Sequence, residues 1–290
     1  MTERCGWVSC TSRRRGLTVS ILQALILGIV QGVTEFIPIS SSGHLVLVPW
    51  VLGWDNPGLA FDAMLHLGTL FAVIAFFWRD LVELIIGGVL SIKERSLADE
   101  PRRRIVWLIL LGTIPAAVTG FALEDFFEDL FAAPVWVGVL LLVTGALLTV
   151  SERWGRRALE MEEMTWPDAL VIGLGQALAI APGISRSGAT ISAGLWRGFQ
   201  REAAARYSFL LATPIILGAG LFKLKDLWEA PLFSNSPLIL LTGFLAAAVC
   251  GFLSIKLFLS YLQKRGLYPF ATYCWAVGVG TISLTLLALR

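Results

Sequence analysis

Six apolar runs decide what this chain can fold into: residues 61–78, 105–122, 134–150, 203–222, 237–259 and 269–288. At a rise of 1.5 Å per residue, a helix of about this length crosses a hydrocarbon core of about 30 Å. Lipid offers no partner to a bare N–H or C=O, so an unbroken apolar run of this kind must be a helix that satisfies its own backbone. Composition agrees. The 290 residues are 56% hydrophobic and 15% charged, against about 25% charged in soluble domains. With 23 Lys+Arg and 21 Asp+Glu the formal charge is +2, too balanced for a nucleic-acid partner. Trp78, Trp107, Trp136 and Trp228 stand near run ends, where an amphipathic ring suits the headgroup layer. Cys5, Cys10, Cys250 and Cys274 form no CxxC and no cluster with the two histidines, which argues against structural zinc or a disulfide framework. The expectation is an all-α polytopic membrane protein, with residues 1–16 a polar extension and 17–290 one integral membrane domain.

Two further apolar stretches, 20–53 and 169–196, are interrupted by Pro38-Ile39-Ser40-Ser41-Ser42-Gly43 and by Pro182-Gly183-Ile184-Ser185-Arg186-Ser187-Gly188. Irregular backbone at membrane depth is tolerated only inside protein or against a wet cavity, so these stretches read as re-entrant hairpins. They are also copies. A shift of 145 residues lays 24–43 on 169–188, and Ala24, Leu25, Gly28, Gln31, Ile39, Ser40, Ser42 and Gly43 meet identical residues. Eight identities in twenty ungapped positions, polar ones included, indicate duplication. Repeat 1 covers about 17–151 and repeat 2 about 165–290. A hairpin plus three spans returns the chain on the opposite side, so the second copy is expected to be inverted, an arrangement that puts sites where interrupted helices meet.

Loop charges suggest an orientation. Fifteen cations, from Arg79 to Arg265, fall on one side. Seven fall on the other, Arg4, Arg13, Arg14, Arg15, Lys223, Lys225 and Arg290, together with the acidic loop Glu124, Asp125, Glu128 and Asp129. The positive-inside rule makes the fifteen cytoplasmic, so both termini and the mouth of the first hairpin face outward.

Three polar groups inside apolar sequence require a reason: Gln31 with Glu35, Ser40-Ser41-Ser42-Gly43-His44, and Ser185-Arg186-Ser187-Gly188 with Thr190. A charge within the membrane is functional or paired. A bland account is a Glu35–Arg186 ion pair that staples the hairpins, with the serines there for close packing. It leaves His44 without a purpose. Phosphate chemistry uses all of them. Glycine-rich turns and helix N-termini cradle anions, arginine offers a fork to phosphate oxygens, and a serine or histidine beside a base is a nucleophile. The catalytic set is then Glu35, Ser41, His44 and Arg186, with Gln31, Ser40, Ser42, Gly43, Ser185, Ser187, Gly188 and Thr190 around the substrate. In the alignment Ser41 faces Arg186, Glu35 faces Ile180 and His44 faces Ala189, the divergence expected if the copies share one composite site. His66, on run 61–78, reads as an interhelical histidine rather than a catalyst. The rival class is a secondary transporter or lipid flippase, which needs a binding site but no activated nucleophile.

The segments Gln31-Gly-Val-Thr-Glu35-Phe-Ile-Pro38-Ile-Ser-Ser-Ser-Gly-His44 and Pro182-Gly-Ile-Ser-Arg186-Ser-Gly-Ala-Thr190 resemble the two signature motifs of the bacterial undecaprenyl-pyrophosphate phosphatases of the bacitracin-resistance type. The resemblance runs from about Val19 onward. It implies hydrolysis of a C55 isoprenyl pyrophosphate to the monophosphate, which recycles the lipid carrier for cell-wall polymers and confers bacitracin resistance. Carried over by position, Gln31, Glu35, Ser41, His44 and Arg186 line the active site, with either Ser41 or His44 as the attacking group. It further implies a site on the periplasmic side of the cytoplasmic membrane and a divalent cation, Mg or Ca, at Glu35. Many relatives carry glutamate where this chain has Gln31, which leaves Glu35 as the main acidic group. A polyprenyl pyrophosphate and membrane lipids are the expected partners, and a homodimer is compatible with the sequence.

Overall fold

A computed structural model describes residues 19–55, 57–96, 101–123, 133–222 and 237–288. The polar extension, Cys5, Cys10, Trp228, the acidic loop at 124–129 and the seven cations assigned to the outer side lie outside the described residues. The helices are α1 (Ile21–Phe36), α2 (Ser41–Leu52), α3 (Leu59–Phe76), α4 (Trp78–Glu94), α5 (Pro101–Ala122), α6 (Pro134–Trp154), α7 (Trp166–Leu178), α8 (Arg186–Trp196), α9 (Arg201–Phe222), α10 (Pro237–Leu262) and α11 (Tyr268–Ala288). Among the described residues the only β pairing is an isolated bridge between Leu159 and Phe199. The chain is an all-helical, multi-pass membrane protein.

Five helices, α5, α6, α9, α10 and α11, are long and apolar enough to cross a membrane, and α3 with α4 makes a sixth if the pair is counted as one span. The pair is bent by 80°, a feature the apolar runs did not announce. Run 61–78 ends as a helix at Phe76 because Arg79 and Asp80 follow at once, and charges are costly deep in lipid. The chain turns into α4, which packs Gly87, Gly88 and Ser91 against α5 and accepts a hydrogen bond on Ser91 Oγ from Trp107 Nε1 at 2.9 Å. Its other face exposes Val82, Ile85, Ile86, Val89 and Ile92. Lys93 and Glu94 close α4, and Arg102, Arg103 and Arg104 stand in the first turn of α5.

The broken stretches are two helix pairs, α1–α2 and α7–α8. Helix α1 opens on a capping box, with Ser20 Oγ accepting from Gln23 N–H and Gln23 Oε1 from Ser20 N–H. It stops at Phe36 because Pro38 forces its predecessor out of helical geometry, and Ile37 is extended at φ −71°, ψ 134°. Helix α7 starts on an equivalent box, Thr165 with Asp168.

The aligned glycines of the two pairs do the same work on different partners. A Cβ on Gly28 would lie 2.5 Å from Gly243 O in α10, and one on Gly173 would lie 2.4 Å from Gly112 O in α5. Small residues allow this backbone contact, which substitutes for the hydrophobic drive that lipid removes. The first hairpin thus leans on a helix of the second half, and the second hairpin on a helix of the first. Helices α6 and α11 close on each other in the same way at Gly138 and Gly278.

Apolar side chains point outward along the long helices, for example Leu238, Leu241, Leu245, Val249 and Leu253 on α10. The interior holds an aromatic column, Phe36, Phe77, Phe209 and Phe258, with Phe36 edge-on to Phe209 at 5.2 Å. Several of the fifteen cations grouped by sequence pair with acids across elements: Arg206 with Asp80 at 3.0 Å, Arg197 with Asp168 at 2.5 Å, and both Arg157 and Arg201 with the buried Glu152.

Candidate active site

The tips of the two hairpins meet. A Cβ on Gly43 would lie 3.4 Å from Gly183 Cα, and Ser187 Oγ donates to Ile37 O at 3.4 Å. Each tip is the start of a helix, built alike from its serines. Ser40 Oγ caps α2 by accepting from Gly43 N–H at 3.3 Å, and Ser185 Oγ caps α8 by accepting from Gly188 N–H at 3.1 Å. Ser42 and Ser187 sit beside the caps, at 3.4 Å from Ser40 Oγ and 3.2 Å from Ser185 Oγ. Both helix N-termini therefore open into the junction, where the uncompensated N–H groups of a first turn favour an anion.

The turns that allow this are constrained. Ser40 holds φ 70°, ψ 96°, a backbone state that costs a non-glycine residue about 1–3 kcal/mol and clusters at functional sites. Gly183 holds φ 107°, and a Cβ there would lie 2.6 Å from Val137 O. Thr144 of α6 pins the second turn, donating to Gly183 O at 2.9 Å and accepting from Ser185 N–H at 3.1 Å.

Glu35, 5% exposed, is the centre. Its Oε1 receives Arg186 Nη2 at 2.6 Å. Its Oε2 receives the Ser41 hydroxyl and, at 3.0 Å, Gln31 Nε2. The spacing of four between Gln31 and Glu35 puts both on one face of α1. Ser41 and Arg186 each occupy the first position of their helix, α2 and α8, so the aligned positions of the two copies converge on one carboxylate. Arg186 Nη1 is buried with no hydrogen-bond partner among the described residues.

His66 joins this cluster. Its Nε2 lies 3.7 Å from Glu35 Oε2, and its Nδ1 donates to Asp62 O at 2.8 Å. It is interhelical, as its place on an apolar run suggests, but what it reaches is the site carboxylate. His44, on the Ser41 face of α2, hydrogen-bonds to Ser40 O and to Tyr273 of α11. Thr190 turns away. Its hydroxyl donates to Arg186 O at 2.8 Å and lies 2.6 Å from Ser208 Oγ of α9, a helix-packing contact.

Sequence reasoning did not find His66, Thr144 or Tyr273 for the site. His66 carried a signal, since both histidines of the chain lie in apolar sequence. Thr144 and Tyr273 carried none.

For a divalent cation, no three His, Cys, Asp or Glu side chains group together among the described residues. The oxygens on offer are those of Glu35 and Gln31 Oε1, the latter buried and without a partner among the described residues. Mg²⁺ and Ca²⁺ take such hard oxygens, and Mg²⁺ commonly completes its shell with substrate phosphates and water. The residues fit an ion that enters with a polyphosphate.

Residues 24–280 match the family described as bacitracin resistance protein BacA. A protein of Methanosphaera stadtmanae named undecaprenyl-diphosphatase is 47% identical over 276 residues, 92% of this chain and 99% of that one. Proteins of the same name from Pelobacter propionicus and Moorella thermoacetica are 44% and 45% identical, over 92% and 88% of this chain and 98% and 94% of theirs. With the matched region enclosing both hairpin tips and every residue of the Glu35 cluster, the chain belongs to the BacA bacitracin-resistance family.

Proposed function

We propose that this chain is an undecaprenyl-diphosphatase, hydrolysing undecaprenyl pyrophosphate to undecaprenyl phosphate and inorganic phosphate. The relatives' names supply the substrate. The observation that carries the reading here is Arg186, whose Nη2 is held by Glu35 while Nη1 is buried without a partner among the described residues, beside a serine already bonded to that carboxylate. An arginine that only stapled two hairpins would have no use for a free nitrogen at the mouth of two helix N-termini. A transporter would have no use for the Ser41–Glu35 pair, the nucleophile–base contact of covalent catalysis.

In this reading the terminal phosphate sits between the two helix N-termini with an oxygen on Arg186 Nη1. Ser41 Oγ attacks its phosphorus while Glu35 takes the hydroxyl proton. The bond to the bridging oxygen breaks, and undecaprenyl phosphate leaves with that electron pair. Water then attacks the phosphoserine and gives a proton to His44. The Oγ–P bond breaks, Ser41 recovers its proton from Glu35, and phosphate departs. A Mg²⁺ or Ca²⁺ held by Glu35 and Gln31 would neutralise pyrophosphate charge. Purified protein should release phosphate from undecaprenyl pyrophosphate, lose most of that activity to a chelator, and regain it with Mg²⁺ or Ca²⁺. Folded protein that releases none sinks the reading, and indifference to the chelator removes the cation from it.

The carrier would be recycled at the outer face of the cytoplasmic membrane, since the positive-inside rule puts the fifteen cations in the cytoplasm. In a cysteine-free background, a cysteine at Glu128 should react with an impermeant thiol reagent in intact cells, while one at Arg103 should not. The opposite labelling pattern reverses the topology.

A further inference from the structure

Both ring nitrogens of His44 are engaged, and the partner of the outer one comes from the far end of the chain. His44 Nδ1 lies 2.7 Å from Ser40 O. A carbonyl only accepts, so Nδ1 carries the proton. In the neutral ring Nε2 is then a lone pair, and the Tyr273 hydroxyl, 2.8 Å away, donates to it. The two rings lie nearly parallel, 14° apart with centroids at 5.7 Å. The next residue of α11 reaches the same turn, where Cys274 Sγ donates to Pro38 O at 3.7 Å. Helix α11 therefore clasps the strained Pro38–His44 turn at two successive residues, while its own position is set by the close contact with α6 at Gly278.

We propose that Tyr273 is a positioning residue for His44. Its hydroxyl selects the Nδ1–H tautomer and holds the Nε2 lone pair in the direction from which a proton will come. With Tyr273 42% exposed, the hydroxyl can swing aside when water or a phosphate oxygen arrives. Which imidazole nitrogen is bare is set by the hydrogen bond the other makes. Here Ser40 O and Tyr273 enforce the same choice from opposite edges of the ring. A tyrosine kept only for packing would need its ring and not its hydroxyl, and this difference makes the proposal testable. The proposal rests on the phosphatase reading and on His44 as the group that accepts a proton.

The test is phosphate release from undecaprenyl pyrophosphate by wild type, Tyr273→Phe, His44→Gln and the double variant. Tyr273→Phe keeps the stacked ring. Its kcat should fall about 10- to 100-fold, with KM within about twofold, because a misoriented general base loses rate rather than binding. In the His44→Gln background the same change should cost less than about twofold, since its target is gone. Diethyl pyrocarbonate gives a readout independent of turnover. Mapped by peptide mass spectrometry, His44 should be modified several times faster in Tyr273→Phe, because Nε2 is uncapped. Wild-type kcat in Tyr273→Phe, or an equal loss in both backgrounds, overturns the positioning role while leaving the phosphatase reading intact. A fully active His44→Gln, or a wild type that releases no phosphate, overturns the reading beneath it and the proposal with it.

Discussion

Replacing Arg186 with lysine is expected to cut turnover about 100- to 1,000-fold while the protein still folds. The guanidinium serves two partners at once, Glu35 through Nη2 at 2.6 Å and, in the proposed complex, a phosphate oxygen through the free Nη1. A lysine brings one ammonium on a flexible stem and cannot reproduce a planar fork. If it stays with Glu35, the developing phosphoryl charge loses its donor, and one such donor is worth about 3–4 kcal/mol in a site of this kind. Folding should survive because a positive charge still faces a carboxylate whose side chain is only 4% exposed. Alanine is the less informative variant, since an uncompensated buried charge costs about 3–5 kcal/mol of stability. Phosphate release alongside the unfolding temperature separates the two effects. Wild-type turnover in Arg186→Lys would reduce Arg186 to a structural cation.

The second large effect concerns Ser41 and Glu35. Ser41→Ala removes the attacking oxygen, and Glu35→Gln leaves an amide that accepts the serine's hydrogen bond but not its proton. Each should lower kcat by about 1,000-fold or more, and the double variant should be little worse than either. Nucleophile and base act as one unit, so once one is missing the other has little left to contribute. Residues with separate roles would give losses that multiply. Clean multiplication in folded double variant would mean that the Ser41–Glu35 hydrogen bond belongs to the resting protein and not to the reaction.

The side chains that gather around Glu35 in the candidate site were legible because duplication left a record. Laying one hairpin on the other singled out Glu35, Ser41, His44 and Arg186 by their divergence, and Ser41 and Arg186 meet at the Glu35 carboxylate together with Gln31, an identity of the two copies. What stayed hidden depends on distance or on angle. Tyr273 lies 229 residues from His44, and no local pattern encodes that meeting. The 80° bend at Phe77 was obscured because α4 mixes charges into an apolar period, so its sequence looks like the frayed end of a span. Thr190 was assigned to the substrate by its place in a motif. On α8 the side chain one turn after Arg186 faces α9, and helical periodicity rather than motif membership decides which way it looks.

The crossed packing of the hairpins has a consequence for how the protein is made. Gly28 leaves the ribosome early, yet the surface it fits is carried by Gly243, roughly 200 residues later. At about 5–20 residues per second, the first hairpin waits about 10–40 s in the membrane with its interrupted backbone and buried-to-be Glu35 uncovered. Arg186 reaches it before α10 does, and α11, which carries the clasp on His44, follows α10. The polar cluster is thus in a position to act as a temporary anchor during insertion, holding two half-built copies together until their long helices arrive. A chain halted before α11 would already contain the carboxylate, the serine and the arginine, but His44 would still lack the Tyr273 hydroxyl.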